Sequence, residues 1–249
     1  MIVAASTDCY PELSLAEALR KLTDLEYTNV EIAIREQGVQ FKPSEITADL
    51  QAAIDICRNT RRLNVTAFTA EIEAEGEEYY EQFTAICKMA KASKVVSITV
   101  PSAELGTPFN EEVERLRKLV AIASLEGVVV SIKNEGGRLS GDPDTVRVLC
   151  DNVAGLGLTL DPSHFIYGPN AGKDYEKVIK YVCHVQVRDT SKDAFQVMIG
   201  QGEVEYGRLV SQLRQIGYNR SLCVSMTEIP GVDQMAEMRK MRLVLESLL

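Results

Sequence analysis

The stretch NEEVERLRKLVAIASLEGVVVSIKNEGG, Asn110 to Gly137, contains one complete unit of the fold. Its first part spaces apolar residues three and four apart, as in Val113, Leu116, Leu119, Val120 and Ala123, which predicts an amphipathic helix. Val128–Lys133 then reads as a short strand of branched apolar residues that delivers a lysine to its far end. Working outward, similar strands are predicted at Ile2–Ser6, Asn29–Ile34, Val65–Thr69, Val95–Val100, Leu156–Leu160, His184–Val187 and Leu222–Met226. Helical stretches such as SLAEALRKLTDL (14–25) and ITADLQAAIDICRNTRRL (46–63) stand between them. The strands read as apolar along both faces, the pattern of a parallel sheet covered by helices. Eight such units in 249 residues is the count of a closed (β/α)8 TIM barrel, an α/β fold, and not of an open doubly wound sheet. No low-complexity linker divides the chain, so a single domain over 1–249 is expected.

Composition narrows the function classes. The chain is 45% hydrophobic and 25% charged, ordinary for a globular protein with a sizeable core. A net charge of −9 with no basic run argues against a nucleic-acid partner, because phosphate binding needs a basic face. The six cysteines lie far apart without CxxC spacing, which predicts reduced thiols in a cytoplasmic protein. MIVAASTDCY at the start shows no basic leader, and no apolar run reaches membrane-spanning length, so no membrane partner is expected. Without a G-x-G-x-x-G after the first strand or a Walker A motif, nucleotide cofactors lose their main sequence support.

In a barrel of this kind ligands meet the C-terminal ends of the strands. Three stretches at those ends are LGLTLDPSHF (156–165), CHVQVRDT (183–190) and GQGEVEYGRLVSQLRQIGYNRSLCVS (200–225). In order and spacing they resemble the sugar isomerase/epimerase superfamily with the xylose isomerase-like TIM barrel. EYTNVEIAI (26–34) resembles that family's second strand, with Glu31 at a commonly acidic position. The resemblance implies a small carbohydrate, free or phosphorylated, as the partner, isomerase or epimerase chemistry, and a homodimer or homotetramer. It also implies a divalent metal held by Glu, Asp, His and Glu at the ends of strands five to eight. Such an ion gathers the sugar oxygens and stabilises a developing oxyanion while the glutamates move the proton.

Matched residue by residue, the family's first glutamate is Lys133, its aspartate is retained as Asp161, its histidine is Gln186 and its last glutamate is Ser225. The arginine often found between the family's aspartate and its G-x-G is missing from DTSKDAFQVMIGQG. A set of three negative charges thus becomes a neutral pair. Neighbouring strands run about 4.8 Å apart, within reach of a lysine stem. A lone buried charge is costly and a paired one is tolerated. The expectation is therefore that the Lys133 ammonium takes the volume of the metal, pairs with Asp161, and leaves the protein without a metal cofactor. A fallback set of Glu135, Asp161, Gln186 and Glu228 would hold a metal if the register differed. Against it, Gly136–Gly137 imply that the chain turns before Glu135 can share the face of Lys133, and Glu228 lies at odd spacing from Ser225.

Each of the remaining residues has two readings or more. Asp161-Pro-Ser-His164 suits an ordinary turn, yet in the family the residue matching His164 touches substrate hydroxyls. Asp189 either anchors substrate or caps its loop, and Glu31 either lines the pocket or pairs with Arg35 on the same strand face. His184 reads as structural. Lys133 is a structural charge in a non-catalytic carbohydrate-binding pseudoenzyme, a Schiff-base amine assisted by His164, or a surface residue.

Overall fold

Eight parallel strands hydrogen-bond in chain order and close on themselves: β1 (Ile2–Ser6), β2 (Asn29–Arg35), β3 (Asn64–Glu71), β4 (Ser97–Pro101), β5 (Val129–Lys133), β6 (Gly157–Leu160), β7 (Val182–Val187) and β8 (Ser221–Val224). They form the expected TIM barrel, seen here in a computed structural model that describes residues 1–60 and 62–249. Around it run α1 (Leu15–Asp24), α2 (Pro43–Ala48), α3 (Leu50–Arg58), α4 (Gly76–Ala92), α5 (Phe109–Leu125), α6 (Pro143–Asn152), α7 (Tyr206–Gln215) and α8 (Gln234–Glu246). The stretch 46–63 is not one helix. Asp49 leaves helical geometry and its side chain accepts from Ala52 N at 3.0 Å, so that α2 ends and α3 begins there. The helix expected through 63 stops at Arg58; Arg61 lies outside the described residues. No described helix is long and apolar enough to cross a membrane.

The strands are not apolar on both faces. Outward residues such as Val30, Ile32, Ile34, Val130, Ile132, Leu158, Leu160, Val185, Val187, Leu222 and Val224 are buried under the helices as the hydrophobic core. The alternate residues are polar and turn inward. Glu31 of β2 bonds to His184 and Gln186 of β7, which are not neighbouring strands, so these bonds span the barrel interior. Thr99, Ser131 and Thr159 join hydroxyls at 2.6–3.4 Å on β4, β5 and β6. On β4, β5 and β6 the alternation escaped sequence reading because the inward Thr99, Ser131 and Thr159 are small and suit a buried strand.

One irregularity aims the site. Between β6 and β7 the register slips, Leu158 pairing with Val182 and Thr159 with His184, so that Cys183 is the extra residue of a bulge. A side chain at Gly157 would meet Cys183 Sγ at 2.4 Å, so any larger residue there forces Cys183 to shift. With the bulge in place, His184 and Gln186 both bond to Glu31.

Candidate active site

β5 ends on Lys133, as expected, and β6 passes directly into Asp161 and a short helical turn, Pro162–Phe165. Asn134 clamps the two strand ends together: its Nδ2 donates to Asp161 O at 2.8 Å and its Oδ1 accepts from Asp161 N at 2.7 Å. Asp161 is fully buried, and one of its oxygens accepts from Ser163 N at 3.1 Å. The other, Oδ2, is the focus of the mouth. Lys133 Nζ stands 3.9 Å from it, His164 Nε2 3.9 Å, and Arg188 Nη2 3.1 Å.

Arg188 is the residue that sequence reasoning missed. It follows β7 directly, at the same alternation as His184 and Gln186, and that spacing is the signal that could have found it. The guanidinium is nearer to Asp161 than the ammonium is, so Lys133 is the second cation of the site and not the first. Arg188 also reaches Ser225 Oγ at 3.4 Å. Four polar atoms here are buried without a hydrogen-bond partner among the described residues: Asp161 Oδ2, Ser163 Oγ, Arg188 Nε and Gln186 Oε1.

The electrostatics follow from this packing. Burial pushes the Asp161 carboxyl upward, but Arg188, His164 and Lys133, with the Ser163 hydrogen bond, outweigh it and hold the group below the usual carboxylate range. Burial lowers the pKa of His164, with help from Lys133 and Arg188, against the pull of Asp161 and Glu135. The imidazole is therefore neutral near pH 7. Gly136 N–H reaches its Nδ1 at 3.4 Å, which leaves Nε2 as the protonated nitrogen, facing Asp161.

Glu31 sits below this layer. It does not pair with Arg35, whose guanidinium lies farther along the strand and binds Asp8 at 2.6 Å and Glu71 at 3.1 Å. Its oxygens instead take His184 Nε2 at 2.5 Å and Gln186 Nε2 at 2.9 Å. Burial opposes its charge, yet His184, Ser6 and Lys133 hold the carboxyl below its usual range. Cys223 completes this cluster, its thiol pushed well above the usual value by burial and then by Glu31. Glu31, His184 and Cys223 are the only three potential metal-ligating groups within 4.8 Å of one another among the described residues. The alternative set of Glu135, Asp161, Gln186 and Glu228 is thus not assembled. β5 stops at Lys133, Glu135 turns to Arg138 at 3.1 Å, and Glu228 is exposed in the cleft of Asp8, Tyr10 and Lys21.

Asp189 takes the loop-capping alternative. Its carboxylate accepts from Thr190 N at 3.1 Å, Gly200 N at 2.7 Å and Gly202 N at 3.1 Å. A side chain at Gly202 would lie 2.0 Å from that carboxylate. The loop it pins carries Phe195 across the mouth, with the ring centroid 4.6 Å from the Arg188 guanidinium and 4.7 Å from the His164 ring. Asp189 therefore anchors the roof of the site, whereas Lys133, His164, Asp161, Arg188 and Ser225 converge beneath it.

The model of the xylose isomerase-like TIM barrel family matches residues 19–246. The chain has no match among curated proteins. Among solved structures it is similar to a xylose isomerase-like TIM barrel protein from Mycobacterium smegmatis in complex with magnesium, at 15% identity over 100% of this chain and 98% of that one, TM-score 0.76. It is similar to the 3-keto-D-glucoside 4-epimerase of E. coli, at 15% identity over 99% of both chains, TM-score 0.75. A probable 3-DHS dehydratase of petrobactin synthesis from Bacillus anthracis, at 12% identity over 99% of both, reaches TM-score 0.74.

Proposed function

Since the chain belongs to the xylose isomerase-like TIM barrel family, we propose that it is a sugar isomerase/epimerase-like protein. It binds a small polyhydroxylated carbohydrate at the C-terminal mouth of the barrel, without a divalent metal. One observation carries this reading: two fixed cations, Lys133 and Arg188, stand 3.9 and 3.1 Å from the single acid of the mouth, Asp161 Oδ2. A divalent ion does not fit there. It would have to approach Asp161 between an ammonium and a guanidinium, with neutral Gln186 and Ser225 as the other donors. The deeper set does not fit one either. Both oxygens of Glu31 already hold hydrogen bonds, to His184 and Gln186, which an ion would have to break. The neighbours include epimerases and a dehydratase, and sugar-like chemistry comes to this chain from them only as a family expectation.

The test is metal content of the purified protein together with thermal shift across Mn²⁺, Mg²⁺, Co²⁺ and Zn²⁺. A ligand that binds only the folded state raises the melting temperature. Less than a tenth of an equivalent of metal and no shift with any ion is the expected result. A stoichiometric ion that stabilises the fold would overturn the reading.

A second reading has its own observation. Lys133 Nζ lies beyond hydrogen-bond distance of Asp161, and its side chain is 20% exposed. Such an amine could condense with a sugar carbonyl, losing water to form an imine, with His164 beside it. Borohydride trapping with reducing sugars separates the two readings. Mass added at Lys133 would establish the imine, and no labelling leaves a binding site.

A further inference from the structure

From the charges and unsatisfied atoms of the mouth we infer that the carbohydrate it takes is anionic, bound through one oxyanion by Lys133 and Arg188. The inference rests on the reading above and names the substrate class of the same site. Lys133 and Arg188 bring two positive charges against the one of Asp161, and His164 is neutral there. Glu31 is coupled to Lys133 from below, but both its oxygens are held by His184 and Gln186, so it makes no direct contact with either cation. Around Asp161 itself two cations therefore meet one carboxylate, Arg188 buried and Lys133 partly exposed.

The unsatisfied atoms describe the missing partner more closely. Arg188 Nε is a buried donor without an acceptor, and Arg188 is 5% exposed. The Lys133 ammonium adds donors, and His164 offers Nε2–H toward the same point. Gln186 Oε1 is a buried acceptor without a donor, and Asp161 Oδ2 meets Arg188 Nη2 at 3.1 Å as an ion pair without a hydrogen bond. Ser163 Oγ can serve either way. A ligand that meets all of these supplies an oxyanion to the donors and hydroxyl groups to the acceptors. A sugar acid has both, and so does a sugar phosphate. A neutral ketose would leave the Arg188 and Lys133 donors facing uncharged oxygens.

Titration calorimetry on the whole protein tests this with D-gluconate, D-glucose 6-phosphate and neutral sorbitol, on the native chain and on Lys133→Met. That variant keeps the closer Arg188–Asp161 pair, so it retains the fold, which its unfolding temperature verifies. Gluconate is expected to bind at least about tenfold more tightly than sorbitol, the worth of one charge-assisted hydrogen bond. Lys133→Met is expected to remove most of that preference, weakening gluconate at least about fivefold more than it weakens sorbitol. If glucose 6-phosphate exceeds gluconate, the anion is a phosphate and the inference stands. Sorbitol binding as tightly as either anion, or a preference for anions untouched by Lys133→Met, overturns the inference while carbohydrate binding itself survives. No binding of any of the three overturns both.

Discussion

Asp161 is the residue on which the mouth depends. Replacing it with asparagine leaves the buried Arg188 and the partly exposed Lys133 without their carboxylate. The expected cost is about 3–5 kcal/mol, the range for breaking a buried ion pair by removing one partner. Urea unfolding of Asp161→Asn beside the native protein measures it, and a change below about 1 kcal/mol would mean that the charges here are well solvated. Acid should act in the same direction. Asp161 and Glu31 have folded-state pKa values below the ordinary carboxylate range, so the unfolded chain takes up their protons first. Their contribution is complete above about pH 4 and is lost as pH falls through the folded values. His164 is also depressed, because the fold disfavours its charged form. Stability therefore begins to fall once pH drops below about 6.5, the ordinary histidine value. A series of urea midpoints from pH 8 to 3 should show two acid limbs, of which His164→Gln flattens the upper one. A midpoint constant down to pH 5 in the native protein would contradict the neutral, buried imidazole.

At the scale of the element, the bulge in the β6–β7 pairing and the loop after β7 do the aiming. Gly157→Ala puts a methyl group on Cys183 Sγ and so presses on the bulge. It should cost about 1–3 kcal/mol, as overpacking does, and Cys183→Ser in the same chain should recover part of it. Full stability in Gly157→Ala would mean that the bulge relaxes freely. The strand ends were legible in the sequence where a single charged residue closes an apolar run, as at Lys133, and where a turn follows at once, as at Asp161. Arg188 was not, although it lies two residues beyond Gln186, because an arginine just past a strand end reads equally as a solvated loop charge, and its partner Asp161 stands at the end of another strand. The strand itself begins at Val182, two residues earlier than read, since the bulge at Cys183 breaks the alternation from which a start is judged. Asp189 was legible as a polar residue at a strand end, but only the folded loop shows its carboxylate turned to Gly200 and Gly202. Glu31 could not be paired from sequence at all: its partner His184 lies across the barrel interior on a strand that is not its neighbour.

The whole molecule is a barrel whose interior is polar and whose apolar surface lies outside, under the helices. TIM barrels commonly fill the interior with layers of branched apolar residues. Here Glu31, His184, Gln186, Thr99, Ser131 and Thr159 occupy it, each bonded to another. The count of units, and therefore the barrel, was readable from helix and strand periodicity, because that pattern depends on the outward faces. The polar interior is a long-range property and was not. The six cysteines provide a test on the same scale. Five are buried, and burial pushes Cys9, Cys57, Cys87 and Cys150 up to about 12 and Cys223 well above its usual value. A thiol reagent at pH 8 should find at most Cys183 within minutes in the native protein and all six in denaturant. Rapid reaction of two or more would mean that the helical shell opens readily. The ring of Phe195, finally, has a bearing on time. It rests on both Arg188 and His164, so a molecule approaching Asp161 from that side would have to displace the loop from Thr190 to Gly202. Encounter would then follow the tempo of that loop and cease to rise with concentration, and a captured guest would leave slowly. A weak intrinsic attraction could in this way still give a long-lived complex.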